Sequence, residues 1–223
     1  MTAAEGALTV NGVKMPLDAL YKANTEKFAA VYPDKGENHA GVMTSEPAPR
    51  TFAYRGEAVE HPLVYIPVFP GTNCDFDTAK AFRKAGAEVE MSVLCNLGGD
   101  DILRSIREMK EHIRRAHIFV LSGGFSSGDE PDGSAKFIVN VLNNKDIRDE
   151  IHALLDRGGL ILGICNGFQA LVKSGLLPYG RLGMVTKDSP TLFRNDINRH
   201  ISQIVSTRVS TLNSPWLAGF GLG

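Results

Sequence analysis

The run Leu160-Ile161-Leu162-Gly163-Ile164-Cys165-Asn166-Gly167-Phe168-Gln169-Ala170-Leu171 carries the strongest chemical signal in the chain. An apolar stretch that reads as a buried strand passes through Gly163-x-Cys165-x-Gly167 directly into a helix. This is the pattern of a nucleophile elbow, with cysteine in place of the more familiar serine. Glycines two before and two after the cysteine let strand and helix approach closely around a strained turn, which lifts the sulfur above the sheet edge. The cysteine then stands at a helix N-terminus, where the dipole favours an anion and so the reactive thiolate. Acyl transfer also needs donors aimed at a developing oxyanion. The backbone N–H of Asn166 provides one. Gly123-Gly124, after an earlier strand, are suited to provide another, because residues without side chains let N–H groups face a substrate. Gln169 lies one helical turn beyond Cys165 and shares its face. It either bonds a substrate or points to solvent.

The elements that must position these residues begin at Leu63. Leu63 to Phe69 is a continuous apolar run closed by Pro70-Gly71, as a buried parallel strand requires. Asp75 to Ala85 reads as a helix and Ala87 to Leu94 as a strand. Asp100 to Arg115 reads as an amphipathic helix with Ile102, Leu103, Ile106, Met109 and Ile113 inward. His117 to Leu121 is a third strand, Ala135 to Leu142 and Ile147 to Arg157 are helices, Leu160 to Ile164 is a fourth strand, and Asn166 to Ser174 is a helix. The alternation predicts an α/β fold, a doubly wound parallel sheet covered on both faces, with sites at the carboxyl ends of its strands.

The preceding residues differ in character. Ala7 to Pro16 reads as a hairpin around Asn11-Gly12, and Leu17 to Val31 as a helix ended by Pro33. Residues 34–62 are rich in proline and glycine and lack periodicity, which is linker composition. One hairpin and one helix enclose no core, so residues 1–33 are expected to be an arm packed on something else. The whole chain has 223 residues, 43% hydrophobic and 22% charged, ordinary for a globular protein. Lys+Arg 24 against Asp+Glu 25 shows no basic excess, which argues against a nucleic-acid partner. No signal peptide or apolar span long enough for a membrane is visible. Cys74, Cys95 and Cys165 are odd in number and widely spaced, so neither a zinc site nor a redox pair is suggested, and the expected compartment is the cytoplasm. Cys74 begins a helix, where it either sits at an anion-binding end or packs in the turn. Cys95 ends a strand and reads as a packing residue.

Gly163-Ile164-Cys165-Asn166-Gly167-Phe168-Gln169 resembles the nucleophile motif of class I glutamine amidotransferases, whose fold is flavodoxin-like. Two further segments narrow the likeness: Phe69-Pro70-Gly71-Thr72-Asn73-Cys74-Asp75 and Ser122-Gly123-Gly124-Phe125-Ser126-Ser127-Gly128-Asp129. Both resemble the glutaminase part of the phosphoribosylformylglycinamidine synthase family, and residues 1–33 resemble the tail of the synthetase part in its large fused members. The resemblance implies that Cys165 hydrolyses glutamine through a thioester. It also implies that ammonia goes to a synthetase domain, which uses ATP and magnesium to convert FGAR to FGAM in purine biosynthesis. Asn195 and Arg199 fall in a stretch similar to one that helps hold the glutamine. No Walker-type or dinucleotide-type glycine motif occurs in the chain, so no cofactor is expected in this domain itself.

The family places its base and orienting carboxylate in a His-x-Glu segment after the region matched by Ser214 to Ala218. None of His39, His61, His112, His117, His152 or His200 is followed two residues later by an acid. Residues 63–223 are therefore expected to be a glutamine amidotransferase domain cut before that segment, and inactive alone. His200 is the in-chain candidate for a base; His112, His117 and His152 read as structural. Two other functions stay open on the sequence: a non-catalytic module that binds glutamine or a partner, and an elbow-type cysteine hydrolase.

Overall fold

The computed structural model describes residues 2–4, 6–28, 31, 58–126, 129, 135–193, 195–209, 212–217 and 219–221. Most of the expected linker, residues 34–57, lies outside them. By contacts the chain divides into two units, Met1–Ser45 with Arg194–Thr207, and Glu46–Phe193 with Arg208–Gly223.

In the first unit, strands β1 (Thr2–Ala4), β2 (Ala7–Val10) and β3 (Val13–Pro16) form an antiparallel sheet in that order. Asn11 and Gly12 both take positive φ, 50° and 79°, which is why Asn-Gly closes the hairpin at the Val10–Val13 pair. β1 was not foreseen. Helix α1 (Leu17–Thr25) is shorter than the apolar spacing suggested and is followed by a 3₁₀ turn, Glu26–Phe28. It buries none of its residues, so packing does not extend it, and the Thr25 hydroxyl bonds back to the Tyr21 carbonyl at its last turn.

The second unit holds the parallel sheet. Its strands are β4 (Leu63–Val68), β5 (Glu88–Val93), β6 (Ile118–Leu121) and β7 (Leu160–Gly163). They pair in the order β5-β4-β6-β7, every pair parallel. Numbered from its own first strand, this sheet runs 2-1-3-4, the start of the flavodoxin-like winding. Helices α2 (Asp75–Lys84), α3 (Gly99–Arg115), α4 (Lys136–Leu142), α5 (Lys145–Asp156) and α6 (Asn166–Ser174) make the crossovers and flanks, and a last turn, α7 (Leu176–Tyr179), follows.

Strand alternation sorts the core into two layers. Tyr65, Phe119 and Leu121 pack with Met109 and Ile113 of α3, Ile138 of α4, Ile151 and Leu154 of α5, and Leu171 of α6. Their neighbours Val64, Ile66, Ile118 and Val120 face the opposite layer, with Ala79 and Phe82 of α2 and with Trp216. Trp216 also donates its indole N–H to the Ile161 carbonyl at 2.9 Å, satisfying one acceptor on the sheet's edge strand.

One expectation about the core needs correction. Ile106, Met109 and Ile113 of α3 are buried, but Ile102 and Leu103 are 42% and 57% exposed. A helix of 17 residues is about 25 Å long, whereas the six-residue strand β5 spans about 20 Å. With Ile113 anchored at one end, the first turn of α3 outruns the layer it packs on.

Candidate active site

The register Leu121–Gly163 aligns the ends of β6 and β7, and the loops after β4, β6 and β7 meet at the carboxyl edge of the sheet. Cys165 occupies the turn from β7 to α6 with φ 53° and ψ −110°, a conformation costly for a residue with a Cβ. It is exposed. The flanking glycines have a steric cause. A Cβ on Gly163 would lie 2.7 Å from the Gly167 carbonyl oxygen and 2.7 Å from Leu171 Cδ1. One on Gly167 would collide with the Leu121 carbonyl of the neighbouring strand. Strand and helix therefore touch backbone to backbone on both sides of the sulfur.

Asn166 is the first residue of α6, so its N–H has no carbonyl one turn back to bond. The Gly123–Gly124 loop comes against the elbow: a Cβ on Gly123 would stand 3.4 Å from Cys165 Cβ and 3.6 Å from Cys74 Sγ. Gly124 has φ +149°, and a Cβ there would be 2.5 Å from the Gly71 carbonyl oxygen. The loop is pinned to the segment after β4 by Phe125 N–H to Gly71 O at 2.9 Å and Asn73 N–H to Gly123 O at 3.4 Å. Cys165, Asn166, Gly123, Gly124 and Cys74 are thus brought together from positions up to 92 residues apart. Cys74 is exposed and its thiol donates to Asn73 Oδ1 at 3.1 Å. Cys95 is half-buried, and its N–H donates to the Ser105 hydroxyl.

Gln169 takes a role that its spacing did not announce. Its Oε1 accepts from Asn166 Nδ2 at 3.0 Å. The Asn166 side chain is itself buried, at 3% exposure, and meets two groups of the loop after β6. Its Oδ1 accepts from Ser126 N–H at 3.2 Å, and its Nδ2 donates to Asp129 Oδ2 at 3.0 Å. Asp129 Oδ1 in turn accepts from the Ser126 hydroxyl and from Ala135 N–H. Ser126 and Asp129 were quoted in the sequence only as part of a motif. Their partner is 37 to 40 residues away, and no local pattern announces such a contact.

Asn195 and Arg199 belong to the first unit, where Asn195 Nδ2 donates to the Arg199 carbonyl at 2.9 Å. His200 is in that unit as well, and His39 lies outside the described residues. The four histidines described in the second unit all have partners. His61 Nδ1 meets the Gly86 carbonyl, His117 Nδ1 accepts from Leu63 N–H, and His152 Nε2 accepts from Leu182 N–H. His112 Nδ1 is 2.6 Å from Glu90, with its ring stacked on Tyr65. Glu90 is partly desolvated, yet His112 and Arg115 outweigh that and hold its carboxyl below the usual range. His117 precedes β6, hence at the end of the sheet opposite the elbow. Among the described residues, no cluster of three or more His, Cys, Asp or Glu is placed to hold a metal ion, and no helix is long and apolar enough to cross a membrane.

Comparison with known proteins places this arrangement. The phosphoribosylformylglycinamidine synthase subunit PurQ of Dehalococcoides mccartyi is 40% identical over 109 residues, covering 49% of this chain and 38% of that protein. The subunit of the same name from Roseobacter denitrificans is 33% identical over 158 residues, covering 71% of this chain and 58% of that protein. The chain spans between 38% and 58% of the length of these relatives. The solved structure of PurLQS from Thermotoga maritima matches 52% of this chain and 46% of that one at 31% identity, with a TM-score of 0.37. The model of the CobB/CobQ-like glutamine amidotransferase domain matches residues 61–222, from just before β4 past the elbow and Trp216. Since that match takes in the whole parallel sheet and the Cys165 turn, the chain belongs to the CobB/CobQ-like glutamine amidotransferase family.

Proposed function

We propose that this chain carries the glutaminase site of a phosphoribosylformylglycinamidine synthase, with Cys165 as nucleophile. The observation that carries the reading is the positive-φ Cys165 at the β7–α6 turn, with the Gly123 backbone against it. The Cys165 sulfur attacks the carbon of the glutamine side-chain amide and a C–S bond forms. The carbonyl oxygen becomes an oxyanion facing the N–H of Asn166 and those of Gly123 and Gly124. The C–N bond breaks, the amine takes a proton and leaves as ammonia, and water then releases glutamate from the thioester. Asn195 and Arg199, from the resemblance, are assigned to holding the glutamine, and of Gln169 only the side-chain NH2 is left for that role, since its Oε1 accepts from Asn166.

Relatives named as PurQ, a synthase subunit, support the glutaminase part of this setting, and the fused arm rests on the resemblance of residues 1–33. Residues 63–223 form the glutaminase domain, residues 1–33 an arm from a fused synthetase part, and residues 34–62 the link between them. Ammonia passes to that synthetase, which binds ATP and magnesium and converts FGAR to FGAM in the cytoplasm. The test is labelling with a chloromethyl ketone shaped like glutamine, followed by peptide mapping. Cys165 should be modified first, and glutamine in excess should protect it. Preferential modification of Cys74 or Cys95, or labelling indifferent to glutamine, would overturn the assignment.

A further inference from the structure

We propose that the side chain of Asn166 is a positioning residue, clamped by Ser126 and Asp129, that sets the distance between the two oxyanion donors. The inference rests on the reading of Cys165 as nucleophile and deepens it. The donors come from different elements: one is the N–H of Asn166 on α6, the other is in the Gly123–Gly124 loop after β6. The loop's described backbone bonds tie it to the segment after β4, at Gly71 and Asn73, and not to the elbow. Past the last bond of the β6–β7 ladder, Ile164 N–H to Leu121 O at 3.0 Å, the described hydrogen bonds that join elbow and loop are those of the Asn166 amide.

The chemistry of the clamp is complete. Asn166 Oδ1 takes the Ser126 N–H, and Asn166 Nδ2 gives one hydrogen to Asp129 Oδ2 and one to Gln169 Oε1. The second oxygen of Asp129 holds the Ser126 hydroxyl at 3.0 Å and the Ala135 N–H at 2.6 Å, just before α4. One residue therefore offers its backbone N–H to the reaction and uses its side chain to fix the loop that carries the partner donor. An aliphatic residue of the same size would fill the volume but leave the buried Ser126 N–H without its acceptor and Asp129 Oδ2 without the Asn166 donor. The arrangement also makes Gln169 a member of the clamp, since the oxygen that would otherwise face the cleft is taken by Asn166.

The test uses two electrophiles on the purified chain. Both rates are read from the Cys165 peptide, because Cys74 is exposed as well: iodoacetamide then reports on the Cys165 sulfur, whereas the glutamine-shaped chloromethyl ketone presents a carbonyl whose oxygen needs the donors. The ratio of the two rates cancels any change in the sulfur itself. Asn166→Asp puts a second carboxyl group where the amide donor faced Asp129 at 3.0 Å, and at alkaline pH, where the pair no longer shares a proton, repulsion should open the clamp. The ketone rate should then fall at least about tenfold relative to iodoacetamide, less than the roughly 10²–10³-fold that removal of an oxyanion donor costs, because here the donor is displaced and not removed. The exchange pair Asn166→Asp with Asp129→Asn restores each bond with donor and acceptor reversed, Gln169 turning to donate. It should return the ratio to within about threefold of the parent. A merely structural Asn166 predicts rates that follow the folded fraction for both reagents alike. A folded Asn166→Asp chain with an unchanged ratio, or a folded exchange pair with the ratio still low, overturns the proposal. An exchange pair that does not fold overturns it too, since the bonds it restores are those said to hold the loop. A parent chain unlabelled at Cys165 would instead defeat the nucleophile assignment, a result distinct from all of these.

Discussion

Two residues without side chains fix how close the elbow comes to the rest of the sheet. Gly167 has the Leu121 carbonyl where a Cβ would go, so the obstacle is backbone and cannot swing aside. Gly167→Ala should lower stability by about 2–3 kcal/mol or more, the upper range for overpacking, seen as a fall in the denaturation midpoint with an unchanged slope. A midpoint within experimental scatter of the parent would mean that the strand and helix are not in contact there. Gly123 and Gly124 differ in the same terms. An added Cβ at Gly123 meets Cys165 Cβ at an ordinary 3.4 Å, whereas at Gly124 it meets Asn73 N at 2.9 Å from a left-handed backbone. Gly124→Ala should therefore melt well below Gly123→Ala, while Gly123→Ala acts mainly by crowding Cys165.

At the scale of elements, the buried stripe of α3 decides which of its apolar residues hold the layer together. Met109 is 2% exposed and Leu103 is 57% exposed on the same helix. Met109→Ala should cost about 2–5 kcal/mol, and Leu103→Ala no more than about 0.5 kcal/mol. Equal losses would restore the inner face that the apolar spacing alone suggested. The joint between α5 and the segment after α7 has a pH signature. Burial, then Arg181 and Arg148, lowers the pKa of His152, against the weaker pull of Asp156 and Asp149. The neutral ring is also the form that accepts the Leu182 N–H. A depressed folded-state pKa means that the unfolded chain binds the proton first, so this contribution is present above about pH 6.5 and is lost as the pH falls below it. Denaturation midpoints at pH 7.5 and pH 5.5 should differ more for the parent than for His152→Leu. Parallel shifts in the two proteins would remove His152 from the account.

For the whole molecule, the prediction concerns turnover. A proton must reach the leaving amine, and general acid–base help of that kind is worth roughly 10²–10⁴-fold. The described histidines of the second unit are bonded elsewhere. Purified alone, the 223-residue chain should release little or no glutamate, even with Cys165 open to alkylation. On the proposed function, the chain joined to a His-x-Glu segment and supplied with a synthetase should release glutamate in a manner abolished by Cys165→Ala. Synthesis fed with ammonium instead of glutamine should be indifferent to that substitution. Robust turnover by the chain alone would make His200→Ala the next variant to assay.

Local rules were enough to read the strands, the crossovers and the elbow. Each rests on near neighbours: a continuous apolar run from Leu63 to Phe69, glycines two residues either side of Cys165, and an Asn-Gly pair able to take positive φ at Asn11 and Gly12. The same rules misplaced the first turn of α3 and the end of α1, because burial depends on how far the facing layer reaches and not on periodicity within the helix. They were also silent on β1, which exists through its pairing with β2. At the site, the sequence determined the nucleophile candidate and the glycine loop, whose chemistry lies in residue type and spacing. Only the tertiary structure joined Asn166 to Ser126 and Asp129 and turned Gln169 toward them. A hydrogen bond across 37 residues depends on where two strands end in the sheet, and that position is set by the register of β6 on β7.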